Sequence, residues 1–575
     1  MNIPFVGGVA TLPGPGTGWV RSAKVSVPSG VSTQSFTVAL NGTTIATITG
    51  DQTYGPLALV GNNVLTITAN GGSSGQQALV EGSVYPYAPV PPTQETGLPW
   101  FNVVDYGADP TGQQDSTATI QAALNAANSG STVFVPYSAT GFLCGALTIP
   151  PGVRLLFDRG AKFVAPSTLA TSWLLFQQGV VHQGTQVIGG TWDASAVTST
   201  SVTGVIDAGT ISVPNVRISG NRIINAPVHG IFMGESTFTT EKKWIDHNSV
   251  EGHGVATTGY GIYADYVGAL EVDANFVYSQ NGNDAIELGH SGYAYLGIYA
   301  HMRATNNTCV GGELQFPFSD DVEILGNTVS GATIQNDTNT ANNVVIANNK
   351  VLNATPAAGY AGIRVAGGNA SIVNNAVSVT TGDGIAWTGE NSQTVVGNQI
   401  YSSAASDSGN GINDGGAGGQ NAIIGNTMDG NGAGGFVYAM TLSGAKNVVV
   451  GNTVTGGCFN GITGGMIDST VSGNSFSVRN EAILSVGSST KLTSNSGYNP
   501  VGPVAVAVPA SGTATAALPY DATYYITQAT AASSVSVQGQ TIAIPVGGPT
   551  AIRVPAGQTL TPTYTTAPTW VVMGD

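Results

Sequence analysis

The sequence predicts an all-β protein built on a parallel β-helix, a solenoid of stacked coils, with a small β-domain at each end. Three observations carry that expectation. Only 8% of the 575 residues are charged, against about 25% in ordinary soluble domains, so polarity rests on uncharged turn and strand formers. A short apolar run ending in a small residue and Asn recurs from Val216 onward, as in RISGNRI, EILGNTV and VVVGNTV. The series comprises Asn221, Asn248, Asn275, Asn307, Asn327, Asn349, Asn375, Asn398, Asn426, Asn452, Asn474 and Asn495. Its steps average about 25 residues, a solenoid period. Between the asparagines runs a second register, HGI, YGI, DAI, AGI, DGI, NGI, NGI and EAI. It places Ile231, Ile262, Ile286, Ile363, Ile385, Ile412, Ile462 and Ile483 at one repeat position. A coil therefore holds at least two strands and a tight bend. The isoleucines stack inward, and the asparagine amides bond up and down a ladder at the bend.

Each segment follows in order. Residues 1–85 alternate apolar and polar positions, and Asn41-Gly42 between two such runs is a hairpin signal, so a small β-sandwich-like domain is expected. Residues 86–100 form a stiff linker, because YPYAPVPPTQETGLPW (85–100) holds five prolines. Residues 101–499 form the β-helix. It opens with one convincing helix, capped by Asp115 or Ser116, whose apolar positions include Ile120, Ala123, Leu124 and Ala127. At Pro500 the period stops, and residues 500–575 read as a small β-domain that closes the open edge of the last coil.

Composition excludes several partners. A net charge of −16 with only 16 Lys and Arg argues against nucleic acid and against anionic membranes. No apolar run reaches transmembrane length. The start, MNIPFVGGVATLPGPG, lacks the features of a signal peptide, so release by a route such as lysis is expected. Cys144, Cys309 and Cys458 are too far apart for a metal motif and are expected as buried free thiols. A polysaccharide, neutral or locally neutralised, remains as a partner.

The block NVVDYGADPTGQQDSTATIQAALNAA, followed by GSTVFVP and LTIPPGVRLLFDRGAKF, resembles the opening segment of the pectate-lyase-like right-handed β-helix superfamily. The resemblance covers about residues 101–165, and the asparagine repeats extend it to about 495. It implies a right-handed coil, and a superfamily of hydrolases, lyases, epimerases and phage tailspikes. The closing VPAGQTLTPTYTTAPTWVVMGD resembles small C-terminal modules of phage tail proteins. Together these imply a tailspike-like polysaccharide depolymerase, extracellular or virion-associated, and usually a homotrimer.

Histidine placement locates the chemistry. His229, His247, His253, His290 and His301, five of the six histidines, lie within 73 residues that also hold many acids and tyrosines. Tyrosines suit sugar faces, offering flat apolar area and a hydroxyl. If Ile262, Ile286 and Leu314 point inward, the outward stack reads Phe232, Tyr263, Glu287, Gln315, Gln335 and Arg364. Two residues further along lie Gly234, Asp265 and Gly289, where glycine beside an acid is expected to leave room for a ligand. Glu287 and Asp265 then sit diagonally on neighbouring coils, about 8 Å apart, within the spacing that lets two carboxyls hydrolyse a glycoside with inversion. Asp284 is a third catalytic candidate, although its position is a bend rich in turn formers. His229, His253, Tyr263, His290, Arg303, Gln315 and Arg364 are the substrate-binding candidates. The motif EGHGV around His253 resembles the Gly-His-Gly of polygalacturonase-type hydrolases, yet it precedes the acids here instead of following them. Hydrolysis requires no cofactor. The alternative, a lyase, needs a base (His253, Tyr263 or Arg303) and a neutraliser for a uronate carboxylate, either Arg364 or a calcium ion near Asp320-Asp321. A non-catalytic fibre or adhesin is the third reading.

Overall fold

The computed structural model describes nine strands within residues 1–99 and nearly all of residues 100–575. Excepted from the latter are 238, 257, 266, 281–283, 290–300, 318–320, 337–342, 357–359, 390–391, 416–418, 433, 488, 499–502, 505, 519, 529, 532 and 575. Residues 87–99 of the proline-rich linker and His290 therefore lie outside the described residues. The chain divides into two units, Met1–Leu98 and Pro99–Asp575.

The first unit forms two antiparallel sheets of five and four strands. Ser35–Leu40 pairs with Thr43–Thr49 so that Leu40 faces Thr43, the hairpin that the Asn-Gly signal predicts.

In the second unit, each coil contributes one strand in turn to three long parallel sheets of 16, 14 and 13 strands. The first sheet runs from Trp100–Asn102 to Lys491–Thr493, the second from Phe142–Leu143 to Ser475–Phe476, and the third from Leu147–Ile149 to Asn460–Thr463. Strands are mostly three or four residues long, which leaves a corner after each. Alternation drives one side chain per strand into a single continuous core, which contains Ile231, Ile262, Ile286, Leu314, Ile334, Ile363, Ile385, Ile412 and Ile462, all at 0% exposure. The three cysteines are free and buried in it.

The corner between the first and second sheets holds the asparagine ladder. Each Nδ2 from Asn221 to Asn474 donates to the Oδ1 of the next asparagine at 2.9–3.0 Å, through all twelve. Each Oδ1 from Asn248 onward also accepts the main-chain N–H of the asparagine before it. Buried turn donors and acceptors are thereby satisfied without water. The residue preceding several of these asparagines is left-handed, as at His247, Ala274, Asn306, Asn348 and Asn374, or is glycine, as at Gly220 and Gly326. That strain explains the preference for small residues, Asn and Gly at the position.

Both ends are closed. The helix Thr117–Ala126 buries Ile120, Ala123 and Leu124, with Ala127 buried just beyond it. Ser116 occupies the N-cap position, but its hydroxyl accepts from Asp109 N–H, and it is Asp115 Oδ1 that accepts Thr117 N–H at 2.9 Å. Gln121 then mimics a strand: its Nε2 donates to Thr148 O and its Oε1 accepts Thr148 N–H, at 2.8 and 2.7 Å. This blunts the free edge of the third sheet. At the other end, Leu492 bridges to Tyr520, whose ring packs against both the β-helix core and a separate core of Tyr524, Ile526, Val535 and Leu560. Two small antiparallel sheets between Pro503 and Gly574 surround that second core.

Candidate functional site

The outward face of the third sheet carries the row that alternation predicts. Asp207, Phe232, Tyr263, Glu287, Gln315, Gln335 and Arg364 are paired one to the next on successive coils. Gly209, Gly234 and Asp265 form the parallel row two residues on. Asp265 and Glu287 thus occupy neighbouring coils and one face, and the diagonal between their backbone positions is about 8 Å.

Four aromatic rings lie immediately N-terminal to these acids. His229 and Tyr260 stack at 5.2 Å with planes 6° apart, and Tyr263 lies 5.4 Å from Phe232, 5.1 Å from His229 and 4.9 Å from Tyr260. His229 Nδ1 accepts the Tyr260 main-chain N–H at 3.0 Å, which fixes the imidazole neutral with its proton on Nε2. Burial agrees, holding the His229 pKa down at about 4. The Phe232 ring folds back over the glycines, since a Cβ at Gly209 or Gly234 would meet it at 2.5 or 2.9 Å. The expectation that Gly234 leaves space for a ligand is therefore corrected, because that space holds Phe232.

The acids extend further than the sequence frame showed. Burial, followed by the charges of the nearby Glu287 and Asp284, pushes the Tyr260 phenol up to about 12. Tyr263 is raised further by burial and by Asp265 and Glu287. Glu287 is 9% exposed. Asp284, whose carbonyl accepts Gly261 N–H, also receives Gln315 Nε2 at 3.2 Å, so it serves the bend and faces the site. Glu313 is a member that sequence reasoning missed. It accepts Gln315 Nε2 at 2.7 Å, Thr333 Oγ1 at 3.0 Å and Gln335 Nε2. Its carbonyl takes both the Ala285 and the Ile286 N–H, and it stands one before Leu314, where other coils carry the Gly or Ala of the isoleucine motif. The only available signal was an acid beside Leu314 in GGELQ.

Two predicted binding residues lie elsewhere. His253 is fully buried inside the corner before the third sheet, where its Nδ1 donates to Gly259 O at 2.9 Å and its ring lies under Gly261. It touches no open face, because the strictly small residues of EGHGV let the chain fold over it. Arg303 sits on the first sheet, between Glu271 and Glu323, and pairs with Glu323 at 2.7 Å. Arg364 is on the right face but three coils from Glu287, about 14 Å along the stack, with its guanidinium over the Tyr360 ring at 4.5 Å. No group of three or more His, Cys, Asp or Glu among the described residues is arranged to hold a metal. Asp320 lies outside them, and Asp321 accepts from Asn343.

Comparison with known proteins places the opening segment. Residues 100–138 match the family described as rhamnogalacturonase A/epimerase, pectate lyase-like. No curated protein matches the chain. Among solved structures, the catalytic unit of a thermostable GH87 alpha-1,3-glucanase from Streptomyces thermodiastaticus is 17% identical, with 85% of this chain and 89% of that one covered and a TM-score of 0.40. A tailspike protein mutant of E. coli bacteriophage HK620 is 10% identical over 84% and 95%, TM-score 0.47. A mannuronan C-5 epimerase A-module of Azotobacter vinelandii is 18% identical over 65% and 98%, TM-score 0.42. The three-sheet coil makes the chain a right-handed parallel β-helix protein, and its opening segment is similar to the pectate lyase-like family.

Proposed function

We propose that the protein hydrolyses a polysaccharide laid along the outward face of the third sheet, with Glu287 and Asp265 as the paired carboxyls. The observation that carries this reading is their register: two acids diagonal on adjacent coils, flanked by the stacked rings of His229, Tyr260 and Tyr263. Rings of that kind take the apolar face of a sugar. One carboxyl, protonated, gives its proton to the glycosidic oxygen as the bond from that oxygen to the anomeric carbon breaks. The other, ionised, takes a proton from a water whose oxygen bonds to the same carbon from the opposite side. A separation of about 8 Å admits that water and corresponds to inversion, whose range is roughly 6.5–9.5 Å. Asp284 and Gln315 bound the site and orient sugar hydroxyls.

Elimination has less support. Of its proposed bases, His253 is buried, Arg303 is on another sheet, and Tyr263 is held protonated by its surroundings. Its proposed neutraliser, Arg364, stands three coils away.

An extracellular or virion-associated role and a homotrimer fit the same reading. Between Glu323 and Lys491 the first sheet's outward face is uncharged, with Leu325, Ala347, Val373, Val396, Ile424 and Val450 in one column and Val345, Ser371, Thr394, Ala422 and Val448 in the other. Copies meeting about an axis bring like residues together, so a face without charge is the one that self-associates without repulsion.

The test is incubation with a panel of capsular and plant polysaccharides, following new reducing ends together with ultraviolet absorbance of unsaturated uronates. Reducing ends alone support hydrolysis. Both signals rising together mean a lyase, and neither signal across the panel means a binding fibre.

A further inference from the structure

The site's charge and its hydrogen-bonding sense both select against one large class of polysaccharide. Asp265, Asp284, Glu287 and Glu313 converge on two neighbouring coil steps of one face. Arg303 is the sole Lys or Arg between Trp244 and Asn349, and it is turned away on the first sheet against Glu323. His229 is neutral, its Nδ1 already used by Tyr260 N–H.

The amides add an independent observation. Gln315 directs its Nε2 at Asp284 and Glu313, and Gln335 directs its Nε2 at Glu313. Both N–H groups of Gln315 and one of Gln335 are thus engaged by carboxylates. Gln335 is 3% exposed, and its Oε1 has no hydrogen-bond partner among the described residues. Charged acceptors, the carboxylates, therefore dominate this part of the face, beside the neutral donors His229 Nε2–H and the tyrosine hydroxyls. An acceptor surface binds hydroxyl or ammonium groups, which donate, and repels a carboxylate, which only accepts and carries like charge.

We infer that the glycan bound over Glu287 is non-anionic, made of hydroxyl-rich neutral or amino sugars, and is not a polyuronate. This rests on the site assigned above and deepens it. A uronan would place a carboxylate on each residue within reach of these acids, while Lys243 is buried against Glu235 and Arg364 stands three coils away. Selection should amount to about tenfold or more per contacting sugar, given the strength of close like-charge pairs in a partly desolvated groove.

The experiment uses the full chain and matched polymers: galacturonan and hyaluronan, each beside its carboxyl-reduced neutral form, plus neutral glucans and chitosan. Retention is read by affinity electrophoresis with the E287Q variant, and cleavage with the unaltered protein. Retention by neutral or amino glycans, with a uronan held at least about tenfold more weakly than its reduced form, is the expected result. A uronan bound as well as or better than its reduced form overturns the inference. If that uronan is also cleaved without a new double bond, hydrolysis stands and only the substrate class fails. Retention of nothing in the panel overturns both the inference and the proposed function.

Discussion

Tyr260 and Glu287 lie beside each other on adjacent coils, the carboxylate's charge helping to keep the phenol protonated while its ring lies parallel to His229. The placement joins the aromatic platform to the acid, so a sugar stacked on the rings is set in register with Glu287. Tyr260→Phe keeps the ring and both stacks but removes a hydroxyl able to donate to the acid. A hydrogen bond to a charged group contributes about 1.5–3 kcal/mol. The expected outcome is therefore a fall in kcat of roughly ten- to hundredfold with KM little changed. Steady-state kinetics on any cleaved polysaccharide checks it. A raised KM with unchanged kcat would leave Tyr260 as a platform alone.

Asn349 lies mid-ladder at 0% exposure, accepting from Asn327 N–H and Nδ2 and donating to Ile324 O and Asn375. Asn349→Ala strands several buried groups at about 1–3 kcal/mol each, so a loss of about 3 kcal/mol or more is expected in chemical unfolding. Asn495→Ala, at the half-buried end of the ladder, should cost about 1 kcal/mol, since water replaces the lost partners. Equal losses would mean that the ladder is not the source of the coil's rigidity.

Acid should weaken the fold through its buried imidazoles. Burial lowers the pKa of His182 and of His253 from 6.5 to about 4. Between these values the unfolded chain binds protons that the native one does not. Their contribution is therefore complete above about pH 6.5 and is lost as the pH falls through about 4. Thermal unfolding across pH 7 to 4 should show a falling Tm, and His253→Gln should flatten part of that slope. An unchanged slope in the variant would contradict the assignment.

How far the sequence carried can be traced residue by residue. Period-two alternation tied to Ile262, Ile286 and Leu314 placed Phe232, Tyr263, Glu287, Gln315, Gln335 and Arg364 in their observed order, because one apolar residue per strand has only the core to enter. The asparagine spacing likewise located one corner of each coil from Asn221 onward. Glu313 escaped because its repeat position is glycine or alanine in the neighbouring coils, as at Gly230, Gly261 and Ala285, and so was read as a packing position. Arg303 was misassigned because nearness in sequence does not tell which of three sheets a strand joins. His253 looked functional by residue type, while the backbone around it closes the corner over its ring. Spacing places a strand's faces, whereas loop closure and ring orientation depend on packing between coils.

The central claim, that Glu287 and Asp265 form a hydrolytic pair on the third sheet, is tested most directly by initial rates of reducing-end release on a cleaved polysaccharide. Glu287→Gln and Asp265→Asn are measured beside Arg303→Ala, a change on another sheet. The account predicts that each acid variant loses about 10²–10⁴-fold in kcat while Arg303→Ala keeps the parent rate. Full turnover by Glu287→Gln would contradict it.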